Sequence, residues 1–168
     1  MCLKSLRSDG VRAADQSNPK GYYEDERIKK LASKDERRWL FEARGEAIKI
    51  VAPFVTFLPN DLPAKIVFMV RDVDEVMASQ RTMLHNDGKL GASSSDSELS
   101  RVYAGYLNRF NQWAEVCKSV EVLPILYAKA IEDPQGVSEE ISRFLGLDES
   151  ASTAMTAVVD PMLYRQRK

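Results

Sequence analysis

Residues 65–80 read KIVFMVRDVDEVMASQ, and the fold turns on how they are read. The run over 65–70 is continuously apolar after its lysine and short, the pattern of a strand covered on both faces. It stops at Arg71-Asp72, and Asp72 followed three residues later by Glu75 has the spacing of a reciprocal helix N-cap, which predicts a helix from Val73. Val73, Val76, Met77 and Leu84 then share one face toward the sheet. A buried strand that turns at once into a helix is the half-unit of an α/β layer.

Working outward, AIKIV over residues 47–51 halts at Pro53 and reads as a second strand. VEVLPILY over 120–127 reads as a third, with Pro124 indicating an edge, a bulge or an early stop. Between the strands, Leu99, Val102, Tyr103, Tyr106, Phe110, Trp113 and Cys117 recur at helical spacing, so a long helix is expected over about 97–118. The Gly/Ser-rich segment 88–98 should be a flexible loop, with a serine or Asp96 capping that helix. A further helix is expected over 135–145, with Gly146 at its left-handed end. Residues 24–33 suit a short exposed helix, and residues 1–20 read as a polar loop or tail. The alternation favours one α/β domain over 1–168 with a largely parallel sheet.

Composition limits the functions available. The 168 residues carry 24 Lys plus Arg against 25 Asp plus Glu, so there is no electrostatic case for a nucleic-acid or membrane-surface partner. Any anion site must be local. Cys2 and Cys117 have no metal-ligand spacing, no apolar stretch approaches the roughly eighteen residues of a spanning helix, and the start has no signal-peptide core. A cytoplasmic chain without a metal is the expectation.

Arg71 stands beyond the carboxyl end of a strand, where ligand crevices of open α/β sheets lie, and next to a helix N-terminus whose N–H groups favour anions. Its guanidinium fork suits bidentate phosphate binding. Ser79, seven residues after Asp72, returns to nearly the same angle on the helix and can face the same crevice. The alternative is an arginine paired with Asp72 or Glu75 and a serine that is merely solvated.

The apolar strand, Arg-Asp, and a serine eight positions after the arginine resemble the 3′-phosphate-binding segment of the sulfotransferase superfamily. Its members use 3′-phosphoadenosine 5′-phosphosulfate (PAPS) as sulfuryl donor. NPKGYYEDERIKKL over 18–31 and EARGEAIKIVAPF over 42–54 resemble the front half of a bacterial subgroup. ILYAKAIEDP with SEEISRFLGL, within 125–147, and VVDPMLYRQR over 158–167 are similar to the end of such domains. The resemblance implies a three-layer, P-loop-like α/β fold and sulfuryl transfer to a hydroxyl or amine on a small molecule or glycan. It implies Arg71, Ser79 and Tyr127 as nucleotide-binding residues, Glu24 as base, and Lys49 as a cation at the sulfuryl group. Each has a plainer reading: a helix-start glutamate, a solvated edge-strand lysine, a buried strand tyrosine.

One element of the family pattern is missing. Members open with a strand, a loop of the type P-R-S-G-T-[ST] that cradles the 5′-phosphosulfate, and a helix; the sequence contains no such loop and no G-x-x-x-x-G-K-[ST]. An N-terminally truncated domain is therefore expected, with a strand edge exposed and a homodimer as one way to cover it. The second functional class is a non-catalytic remnant that holds a nucleotide at most. His85, the single histidine, is expected to serve a helix end, and Trp39 and Trp113 the core.

Overall fold

The computed structural model describes residues 6–86 and 96–165. In chain order the strands and helices are β1 (Leu6–Arg7), α1 (Trp39–Glu42), β2 (Ala47–Ile48), α2 (Ala52–Val55), β3 (Ala64–Val70), α3 (Val73–Asn86), α4 (Asp96–Val116), β4 (Val120–Leu126), α5 (Tyr127–Glu132), α6 (Pro134–Leu145) and α7 (Glu149–Val158). Cys2, most of the expected 88–98 loop and the cap of α4 fall outside the described residues.

The fold is mixed α/β, and both of its strand pairs are parallel. β3 runs beside β4 in register from Ala64 opposite Val120 to Val70 opposite Leu126. Alternate residues of β3 face opposite sides. Ile66 and Phe68 turn into the core, where Phe68 stacks on Phe110 of α4 with ring centroids 4.0 Å apart. On the other side the Lys65 ammonium donates to the Phe144 carbonyl of α6 at 2.7 Å. α6 thus reaches that side at the start of the strand, while Met69 remains 43% exposed, so β3 is less sealed than its apolar run suggests. Pro124 sits within β4, whose one ladder partner among the described residues is β3; an edge position tolerates its missing N–H.

The sequence patterns hold well at the helix ends. α3 begins at Val73 as expected, and the Asp72 carboxylate accepts from the Asp74 and Glu75 amides at 2.9 and 3.3 Å. α6 is capped by Asp133 accepting from the Gly136 amide, opens on Pro134, and ends at Gly146 with φ 71°, a conformation that favours glycine.

Four expectations need correction. The 47–51 strand shrinks to Ala47–Ile48, because Val51 caps α2 and Pro53 lies in its first turn. The N-terminal segment is no tail: Leu6–Arg7 pairs in parallel with Ala47–Ile48, and Arg7 is salt-bridged to Glu46. A two-residue ladder leaves no hydrophobic pattern to read. The 24–33 segment is a 3-10 helix, Glu26–Lys30, and it is not an exposed one, since Ile28 is buried and Leu31 is fully enclosed. Both join Leu40, Val55, Leu58 and Phe110 in the main core, with Trp39 and Trp113 packed on its margin. Finally, Tyr127 is not in a strand; it is the first residue of α5.

Asp25 caps the 3-10 helix by accepting from the Arg27 amide at 3.0 Å, and it also receives the Arg27 Nε at 2.9 Å. The guanidinium bond holds this 3% exposed carboxyl below its usual range. A depressed carboxylate adds stability above its unfolded value of about 3.9, and that stability is lost as pH falls through the folded value. Asp25→Asn should therefore cost roughly 1–2 kcal/mol at pH 7, discounted because Arg27 is partly exposed, and progressively less below about pH 4. Denaturant midpoints against pH check this; a gap that stays constant into acid would contradict it.

Candidate functional site

Parallel pairing of β3 with β4 sets the site. Because Val70 lies opposite Leu126, the chain leaves both strands at the same level, and Arg71 and Tyr127 emerge side by side at their carboxyl ends. The Arg71 guanidinium lies 4.9 Å from the Tyr127 ring centroid. One turn into α3, the Glu75 carboxylate holds the Arg71 Nε at 3.1 Å. Ser79, a further turn along, faces the same cleft, which has a volume of about 360 Å³. Sequence-predicted Arg71, Ser79 and Tyr127 thus line one cavity, with Thr82 and Met83 of α3, the 17–21 segment, Leu163 and Arg165 completing it.

Arg71 is both ion-paired and cleft-lining, so the two alternatives for it are not exclusive. A correction applies to the helix end. Asp72 takes two of the first amides of α3, and Asp74 and Glu75 add negative charge there. The cations that line the cleft are the side chains Arg71, Lys20 and Arg165, and the Ser79 residue lines it with them.

The opposite wall is built by a turn. Asp15 Oδ1 accepts from the Ser17 and Asn18 amides at 2.8 and 2.9 Å, and its other oxygen accepts the Tyr22 hydroxyl at 2.6 Å. That hydroxyl bond is the main reason the Asp15 carboxyl sits below its ordinary range, while burial pushes the Tyr22 phenol up. Tyr22 is buried beneath the Arg12 guanidinium, 3.5 Å from its ring centroid. Gly21 lines the cleft with φ 96°, a value L side chains avoid.

Glu24 and Lys49, the other two sequence-predicted residues, are brought together. The Lys49 ammonium lies 3.4 Å from Glu24 Oε1 and donates to the Tyr22 carbonyl at 2.7 Å. Lys49 therefore does not simply point into solvent. The Glu24 carbonyl accepts from the Ser8 hydroxyl and the Asp9 amide. Between these ties Tyr23 is half-exposed with φ 53°, a conformation rare for a bulky residue. Nothing in the sequence signals that strain.

A family model described as the sulfotransferase family matches residues 12–151. The chain belongs to the sulfotransferase family. The match spans all five sequence-predicted residues and the whole β3–α3 unit with its arginine at the strand end. Neither the curated proteins nor the solved structures give a match to this chain.

Among the described residues no helix is long and apolar enough to cross a membrane, and no group of three or more His, Cys, Asp or Glu side chains could hold a metal ion. Lys20 and Arg165 at the cleft, and Tyr164 beside Arg71, are positions that the sequence does not single out. Glu75 reads from the sequence both as a cap partner and as an ion-pair alternative for Arg71, and the structure has it in the second role as well. The others come from segments whose approach to α3 has no local signal.

Proposed function

We infer that this sulfotransferase-family chain binds PAPS by its 3′-phosphate and belongs to the class that passes the sulfuryl group to a hydroxyl or amine of a small molecule or glycan. The observation that carries the reading is the convergence of Arg71, Ser79 and Tyr127 on one cleft at the carboxyl ends of two parallel strands. The residues present suit a phosphomonoester: a guanidinium fixed at its Nε, a hydroxyl donor two turns up one helix face, and two further cations at the rim. Tyr127 offers an aromatic surface to the nucleoside.

PAPS supplies the transferable group, and its bond to the 5′-phosphate breaks as the acceptor oxygen or nitrogen bonds to sulfur. Glu24 is the residue assigned to take the acceptor's proton. Lys49, 3.4 Å from it, is the cation assigned to the charge that develops there.

A second reading, nucleotide binding without transfer, is favoured by one observation: Lys49 is already engaged by Glu24 and the Tyr22 carbonyl.

Calorimetric titration with 3′-phosphoadenosine 5′-phosphate (PAP) and with adenosine 5′-monophosphate (AMP) tests the shared part. PAP should bind at least about 100-fold more tightly, the effect of the two charged bonds of one guanidinium fork. Equal affinities, or no binding by the folded chain, would remove the 3′-phosphate assignment. Transfer of label from radioactive PAPS to added acceptor, lost in Glu24→Gln, separates the enzyme from the binding protein.

A further inference from the structure

The family match ends at residue 151, yet residues 158–165 return to the cleft. Their moorings are specific. Lys20 donates to the Val158 carbonyl at 3.0 Å and lies 3.7 Å from Asp160, while the Arg165 guanidinium donates to the carbonyls of Gln16 and Ser17 at 3.1 and 2.7 Å. The segment is tied at both ends to the 16–20 wall.

Between the moorings stands Tyr164. Its hydroxyl donates to the Glu75 carboxylate, 2.7 and 2.9 Å from the two oxygens, across 89 positions of sequence. Glu75 is only 7% exposed, and it is the group that grips Arg71 Nε. The Tyr164 ring meets Tyr127 edge-on, with centroids 5.1 Å apart and planes at 89°, and the Arg71 guanidinium lies 5.4 Å from the Tyr164 centroid. One side chain therefore bonds the carboxylate that orients the arginine and walls the arginine itself.

We propose that Tyr164 is a positioning residue for Arg71, acting through Glu75, and that residues 158–165 are a working part of the 3′-phosphonucleotide site. The inference rests on the reading that a 3′-phosphate binds at Arg71. One effect follows from removing the hydroxyl. The Glu75 side chain loses the bond that fixes its rotamer, so the guanidinium it holds is fixed less well, and a fork contributes fully only when pre-oriented. That effect falls on the 3′-phosphate and not on the rest of the nucleotide.

Tyr164→Phe keeps the ring and removes only the hydroxyl. Titrated with PAP and AMP, the variant should bind PAP about tenfold more weakly and AMP as before, so the preference for the 3′-phosphate falls about tenfold. The Arg71 Nε–H resonance should shift in the free protein. Unchanged PAP affinity, or equal weakening of PAP and AMP, would overturn the proposal, because a merely structural tyrosine moves both nucleotides alike. Should Tyr164→Phe fail to fold, Glu75→Gln reads the same link from its middle: the preference should fall there too, and an intact preference refutes it. A wild type that does not prefer PAP removes the 3′-phosphate reading and this proposal with it, whereas a preference undiminished in Tyr164→Phe removes the proposal alone.

Discussion

Arg71→Ala is expected to weaken PAP binding at least about 100-fold. A guanidinium on a phosphate makes two charge-assisted bonds, each contributing about 1.5–3 kcal/mol, and every 1.4 kcal/mol is a factor of ten. The substitution also leaves Glu75, which is 7% exposed, without the cation at 3.1 Å, so some loss of stability accompanies the loss of binding. Arg71→Lys separates the two. It retains a cation near Glu75 but cannot present a planar fork, so most of the stability should return while PAP affinity stays about tenfold down. Calorimetry for binding and denaturant melts for stability measure both. PAP affinity within threefold of wild type in Arg71→Ala would show that the 3′-phosphate is held elsewhere.

The largest stability effect is expected from Phe110→Ala, about 3–5 kcal/mol, the range for removing a buried aromatic and leaving a cavity. Phe110 is 3% exposed and stacked almost parallel on Phe68 of β3, with an interplanar angle of 11°, and its centroid lies 6.1 Å from that of Trp113. It joins the core around Leu31 and Leu40 to the strand that leads into Arg71. Against a total stability of about 5–15 kcal/mol, the change would remove a large share of it. Phe110→Leu refills part of the volume and should recover more than half of the loss. A cost below about 1 kcal/mol for the alanine variant, measured by urea unfolding, would contradict the packing described here.

What the sequence made legible, and what it did not, divides along the length of chain involved. Residues 65–80 carry their own instructions: an apolar run, an Asp cap, a helical face. β3, the start of α3 and the arginine between them are read locally for that reason. Asp133-Pro134 and Gly146 bracket α6 in the same way. Arg71, Ser79 and Tyr127 could be singled out because strand ends are where parallel sheets bind ligands, and the register of β3 on β4 then brings them together. β1 was invisible because two residues held by a ladder and one ion pair need no pattern. The buried 24–33 segment was misjudged because Ile28 and Leu31 are its large apolar residues among many charges, and one of those charges, Asp25, is itself buried against Arg27. Glu75 has the spacing of a cap partner; its bond to Tyr164 depends on where a segment 89 residues later happens to return. The strain at Tyr23 is likewise imposed from outside, by the bonds that fix Tyr22 and Glu24 on either side.

The most direct measurement is a crystal structure of the chain grown with PAP. The 3′-phosphate should lie within hydrogen-bond distance of the Arg71 guanidinium and the Ser79 hydroxyl, with the nucleoside beside Tyr127 and residues 158–165 closed over the 17–21 wall. Density for the nucleotide in the groove between α6 and α7, or a 3′-phosphate turned to solvent away from Arg71, would contradict the assignment of this cleft.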